Sequence, residues 1–320
     1  MTLQQLAYFV ALADVGSFTG AADSLGVAQP TLSRQVRALE DELGSPLVQR
    51  TRNALILTPA GEAVLPLARR MLADMESART AVAELVGLER GRVRVGATPS
   101  LCVGVVADVL RAFHDRHPAV ALELVENGSQ LLVRSLLHNE IDVALVVVPP
   151  DGLDPGLALT PVLRERLSVA SAAGDGRAVR GSLSVKELAR RSLVVPRRGY
   201  DLREVTLAAC AQAGVTPRFA VEGGEMDAVL RLVEAGTGVA VVPDIVFAGR
   251  PRLRRTALTP PLYRTVALAR RADLVPSQAV QAFAETLLRS LGELSDDAGF
   301  VGDVQLLGAR DRAAGPVAAG

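Results

Sequence analysis

At about 150 residues per domain, a chain of 320 residues points to two domains, one small and one large. Apolar residues make up 49% and charged residues 22%, enough to bury sizeable cores, which excludes a wholly disordered chain. The 35 basic residues are matched by 35 acidic ones, which excludes a global polycation or an acidic solvating tail and leaves room for a local basic face.

Thr2-Leu3-Gln4-Gln5 reads as a capping box, so a first helix starts at once and ends before Gly16. Its apolar run, Leu6 to Ala13, has no basic residue ahead of it, since the first is Arg34; it does not read as an export signal. Ser17 caps a second, short helix in which Ala21 and Ala22 allow close packing and Leu25 is a core contact, with Gly26 as a left-handed stop. Pro30 stands in the first turn of a third helix, where its missing N–H costs nothing. Leu32, Val36, Leu39 and Leu43 make one apolar stripe of that helix. At about 100° per residue, Pro30, Arg34 and Arg37 project from the opposite side, with Thr31 and Ser33 on the flanks and Gly44 at the end. Two helices, a glycine turn and a third helix with an arginine-bearing outer face form a helix-turn-helix pattern. A plain helical hairpin at the edge of an enzyme domain has the same periodicity. Leu47 to Leu57 favours DNA: it reads as a short hairpin with Arg50 and Arg52 at its tip, a wing able to lie on phosphates or enter a minor groove.

The stretch from Ser17 to Glu62 resembles the winged helix-turn-helix of LysR-type transcriptional regulators. The resemblance rests on Ala21-Ala22, Leu25, Gln29-Pro30, Ser33, Leu39-Glu40, Leu43-Gly44, Leu47, Arg50 and Leu57-Thr58 followed by Gly61. One departure is Val48, where the family usually has phenylalanine, a change that bears on packing under the wing. The resemblance extends to about Leu291. It implies a bacterial, cytoplasmic, effector-responsive regulator that binds double-stranded promoter DNA as a homodimer and dimer of dimers, a homotetramer, and that meets RNA polymerase there. The DNA-contact set it implies is Ser17, Gln29, Pro30, Thr31, Ser33, Arg34, Arg37, Arg50 and Arg52. Over residues 1–61 those arginines are outnumbered, because Asp14, Asp23, Glu40, Asp41 and Glu42 face only Arg34, Arg37, Arg50 and Arg52. Charge must therefore be segregated by face, and multivalency must raise the affinity.

Residues 1–58 are thus expected to be the winged DNA-binding domain and residues 59–90 a linker and dimerisation helix, opened by Thr58 as cap and Pro59. Val64, Leu67, Met71, Ala78 and Leu85 keep three- and four-residue steps along one side of it; packing on its own domain and dimerisation both suit such a stripe. From Arg92 to about Leu291, strand-like runs alternate with helical ones. The richest apolar run, Val143 to Val148, is strand-sized and far short of a membrane span. Residues 91–292 resemble the periplasmic-binding-protein-like effector domain of the same family, two α/β lobes joined by crossing strands. The expected fold class is α/β behind an all-α winged helix-turn-helix domain. Residues 293–320, rich in Gly and Ala, are expected to form a disordered tail.

In α/β lobes, ligands sit beyond the carboxyl ends of the strands, where helix starts point their amides. That rule selects Thr98, Ser100 and Ser129 from the first lobe and Arg198, Tyr200 and Glu225 from the second as effector-binding candidates, a set suited to a carboxylate or similar small anion. Ser and Thr at helix starts also serve as plain caps. His114 and His117 form H-x-x-H with no flanking ligands, so no metal site is expected, and His138 lies in a helix tail. Cys102 and Cys210 fall in apolar helical patterns of different lobes and read as buried thiols in a reducing compartment. No nucleophile elbow, Walker loop or dinucleotide fingerprint occurs, so neither catalysis nor a cofactor is expected. The competing class is a cytoplasmic solute-binding protein or sensor on the same two lobes.

Overall fold

The structure, a computed structural model, describes residues 1–50, 55–85, 91–174, 181–296 and 302–307. It divides into two compact units, residues 1–88 with 137–140, and residues 89–136 with 141–320.

The first unit opens with α1 (Leu3–Val15), α2 (Phe18–Leu25) and α3 (Gln29–Leu43), continues through a hairpin of β1 (Val48–Arg50) and β2 (Leu55–Leu57), and ends in the long α4 (Pro59–Leu85). The local signals act as their chemistry dictates. Thr2 and Gln5 form the reciprocal capping box of α1, and the Ser17 hydroxyl accepts from the Gly20 amide to cap α2. Gly16, Gly26 and Gly44 end the three helices in the left-handed region. Leu32, Val36 and Leu39 of α3 are buried, the first two in one cluster with Tyr8 and Leu12 of α1 and Ala21 and Ala22 of α2. Leu25 and Leu43, expected in the core, are 37% and 40% exposed. Each is the last residue of its helix, where the chain turns away through a glycine before the side chain can be covered.

The wing joins α4 through a tight corner. The Thr58 hydroxyl donates to the Pro46 carbonyl at 2.6 Å and accepts from the Gly61 amide at 3.0 Å, and the Thr58 amide donates to the Leu47 carbonyl. A Cβ on Gly61 would stand 2.0 Å from the Leu47 carbonyl oxygen, so only glycine lets α4 pass this close. Two faces of α4 differ. Ala60, Val64, Leu65, Ala68 and Leu72 pack with Leu6, Phe9, Leu39 and Leu47, whereas Leu67, Met71, Ala78 and Val82 are exposed. The side chain of Leu85 lies outside the described residues.

The second unit is built on an eight-stranded sheet. Its first lobe contains β3 (Arg92–Ala97), β4 (Ala121–Glu126) and β5 (Val143–Val148), all parallel, with α5 (Pro99–Leu101), a π turn at Cys102–Val106, α6 (Ala107–Arg116) and α7 (Ser129–Leu137) between them. The long β6 (Leu157–Ala172) then crosses into the second lobe. There β7 (Ser182–Ser184), α8 (Val185–Ala189), β8 (Ser192–Val195), α9 (Asp201–Gln212), β9 (Arg218–Glu222), α10 (Met226–Glu234), β10 (Ala240–Pro243) and a 3-10 turn at Asp244–Phe247 follow. The second crossing strand, β11 (Leu253–Arg271), runs antiparallel to β6 along both lobes and returns the chain to α11 (Gln278–Asp296). Helices packed on the strands cover their apolar faces, so Val93, Val95, Leu145, Leu193, Val241 and the inner faces of α6, α10 and α11 share one core.

The expected disordered tail is corrected in two places. Helix α11 continues to Asp296, and Val304–Leu306 forms β12, antiparallel to Glu165–Leu163 on the free edge of β6. Unpaired backbone groups on a crossing strand accept any extended segment that reaches them, whatever its composition. Residues 308–320 lie outside the described residues.

Candidate DNA-binding surface and effector cleft

The outer face of α3 carries Pro30, Arg34 and Arg37 exposed, with Gln29, Thr31 and Ser33 half-buried beside them. Ser17 is exposed, but its hydroxyl is engaged as the α2 cap. The side chain of Arg50, and all of Arg52, lie outside the described residues. Three of the five acids that outnumber these arginines are held elsewhere. Glu40 accepts the Leu47 and Val48 amides at 2.8 and 3.2 Å and so anchors the wing, Glu42 pairs with the chain's amino terminus, and Asp14 pairs with Arg69. The first turns of the α3 face are thereby left to Arg34 and Arg37, while Asp41 stays exposed further along the same face.

In the second unit Thr98, Ser100, Ser129 and Tyr200 are all at most 3% exposed. They do not share one role. Ser100 accepts from Arg264 Nη1 at 2.9 Å, and Arg264 is otherwise bound to Glu165 through Nε and Nη2 at 2.9 and 2.7 Å. The second oxygen of Glu165 accepts the Ile245 amide at 3.1 Å. This buried ion pair sits on the two crossing strands and ties the start of α5 in the first lobe to the 3-10 turn of the second. Sequence reasoning passed over it because a Glu and an Arg far apart on two strands carry no local pattern.

Ser129 accepts the Val147 amide of β5 at 3.0 Å and donates to Asp201 Oδ2 at 2.7 Å. Its hydroxyl thus reaches across to the other lobe instead of capping α7. Beside it, Asn127 Oδ1 accepts from Arg197 Nη2 at 3.1 Å, and Arg197 Nε donates to Glu225 at 2.9 Å while its guanidinium lies 4.5 Å over the Tyr200 ring. A Cβ on Gly128 would stand 2.3 Å from the Gly199 carbonyl oxygen, so the lobes meet backbone to backbone. Of the expected residues, Ser129, Tyr200 and Glu225 belong to this contact. Arg198 is exposed, and its neighbour Arg197 takes the expected cationic part. The residues missed are Asn127, Arg197 and Asp201; the first two lie just beyond strand ends and the third opens α9, the same signals that selected the others. Thr98 Oγ1 and Tyr200 Oη are buried with no hydrogen-bond partner among the described residues. A cavity of about 270 Å³ lies away from the contact, between α11 and strands β5, β6 and β11, with Val143, Thr160, Leu268, Arg270, Gln281 and Glu285 among its walls.

The cysteines are ill-suited to thiolate chemistry. Burial, with Glu126 adding to it, pushes the Cys102 thiol up to about 12, and burial also raises Cys210. Among the described residues no group of three or more His, Cys, Asp or Glu side chains could hold a metal ion, and no helix is long and apolar enough to cross a membrane.

A winged helix-turn-helix followed by a two-lobed α/β domain defines a DNA-binding transcriptional regulator with a ligand-binding half. Residues 3–62 match the bacterial regulatory helix-turn-helix protein model of the lysR family, and residues 86–292 match the LysR substrate binding domain. The chain belongs to the LysR family. It is 33% identical over 281 residues to the HTH-type transcriptional regulator TdfR of Cupriavidus pinatubonensis, covering 86% of this chain and 90% of that one. It is 30% identical to a probable hydrogen peroxide-inducible genes activator of Streptomyces viridosporus, covering 92% and 95%. Among solved structures it is similar to full-length CbnR complexed with its target DNA, with a TM-score of 0.67, 28% identity and coverage of 91% and 100%.

Proposed function

We propose that residues 1–58 place α3 in the major groove of promoter DNA, with Arg34 and Arg37 toward base edges and phosphates and Arg50 and Arg52 of the wing on the flanking backbone. Residues 59–90 join two copies through the exposed face of α4, and two such dimers assemble on the promoter, in the cytoplasm, where they meet RNA polymerase. Residues 91–292 bind a small-molecule effector between the lobes, and the resulting shift in lobe arrangement changes how the headpieces meet DNA. The role is regulatory and not catalytic. The observation that carries this reading is the exposed pair Arg34 and Arg37 on the outer face of α3, with Glu40, Glu42 and Asp14 held by the wing, the amino terminus and α4. The match to CbnR, whose structure holds target DNA, supports it.

Peroxide-inducible relatives raise the alternative of a thiol sensor. The raised Cys102 and Cys210 thiols oppose it, because the thiolate is the form that peroxide attacks. A gel shift with DNA upstream of the gene tests the main reading. The full chain is expected to retard that DNA and residues 91–292 alone to leave it free; retardation by the second fragment would overturn the assignment.

A further inference from the structure

The sequence points to an anion at the helix starts of the first lobe, and the structure places an anion there that belongs to the chain itself. Asp201 is the first residue of α9 in the second lobe, and its carboxylate accepts from Ser129 of the first lobe at 2.7 Å. The Ser129 hydroxyl is committed to that direction, since its oxygen already receives the Val147 amide and its one proton goes to Asp201. The carboxylate is also favoured by its position in the first turn of α9. The flanking contacts close the same seam: Gly128 lies against the Gly199 carbonyl, and Arg197 bridges Asn127 and Glu225. Within this contact the hydroxyl of Tyr200, the residue before Asp201, is buried and unpartnered among the described residues. Buried donors without partners are costly, and a site that keeps them is one whose hydrogen bonding is completed by something else.

We propose that Asp201 is a built-in ligand of the cleft. Its carboxylate holds the place that the carboxylate of a small external molecule would take, and it latches the lobes together when that molecule is absent. This rests on the reading of the cleft as the effector site, and it gives that site a chemistry: the ligand is a small carboxylate, which enters by exchanging with Asp201 at Ser129. Such a ligand competes with a tethered group, so the free chain favours the closed arrangement and responds only to a molecule that offers more than Asp201 does.

Hydrogen exchange of the full chain, followed by mass spectrometry, tests this with acetate as the probe and chloride as the ionic control. In the wild type, segments 126–131 and 196–203 are expected to be protected, with no change on adding acetate. In Asp201→Ala their exchange should rise about ten- to a hundredfold, the loss of one charge-assisted hydrogen bond, and acetate but not chloride should restore protection. Ser129→Ala should lose the same protection and regain none with acetate. It also decides the matter if the Asp201 variant fails to fold, which exchange in β3 and β5 would report. Wild-type protection in either folded variant without acetate, or a gain of protection on adding acetate as large in the wild type as in Asp201→Ala, overturns the latch. Retardation of upstream DNA by the same samples is read separately. Failure of these expected exchange changes with intact DNA binding by the wild type sinks this proposal alone, whereas absent DNA binding by the wild type sinks the regulator reading.

Discussion

Ser100 and Ser129 look alike in the sequence, each standing just after a strand at the start of a helix, yet they meet different chemistry. Ser100 leans on a buried ion pair, and such a pair is costly to break from one side because the survivor is left as an uncompensated charge. Arg264→Leu is therefore expected to lower stability by about 3–5 kcal/mol in urea unfolding. An unchanged midpoint would mean that Glu165 finds another partner. Tyr200 gives the opposite expectation. Its hydroxyl has no partner among the described residues, so Tyr200→Phe should shift stability by less than about 1 kcal/mol in the same assay. A larger loss would show that the hydroxyl is satisfied in solution. The thiols add a third test at this scale. With Cys102 raised from 9.0 to about 12, its thiolate fraction near pH 8 is about a thousandfold below that of an ordinary thiol. Because the raised value disfavours the anion, iodoacetamide should label the native chain far more slowly than the urea-unfolded chain. Equal rates would reopen the thiol-sensor reading.

At the scale of elements, α4 carries two faces with two destinations. Leu67 and Val82 are 54% and 61% exposed on a helix whose other side packs, from Ala60 to Leu72, on α1, α3 and the wing. Leu67→Glu in the full chain is expected to weaken self-association while the thermal unfolding of the first unit stays near wild type; sedimentation equilibrium reads the first and calorimetry the second. Undiminished association would assign the assembly to another surface. The caps, glycine stops and apolar stripes of α1 to α3 were legible in the sequence because each is a contact between residues a few positions apart. The succession of strands in the second unit was legible in outline, since β3, β4, β8 and β9 are each followed by a loop and a helix. Two things were not. Strand β12 has no alternation of its own and exists because β6 offers an edge. The choice of Arg197 over Arg198, and the part played by Asp201, depend on which side chains meet when the lobes close, and that meeting joins residues 70 and 72 positions apart. Local pattern can nominate the loops for such a site, but it cannot choose the residues within them.

At the scale of the whole molecule, function depends on one unit reading DNA and another reading chemistry. The first unit carries more acids than arginines, so its affinity should come from a few well-placed arginines and from several headpieces acting together. The most direct measurement is an anisotropy titration of a labelled duplex from the region upstream of the gene with the full chain and with Arg34→Ala. The wild type is expected to bind, and Arg34→Ala to lose about 1–3 kcal/mol, roughly five- to 150-fold in affinity, while its circular dichroism spectrum and assembly stay unchanged. Equal affinity of the two proteins for that duplex, with the variant folded, would contradict the placement of α3 on DNA.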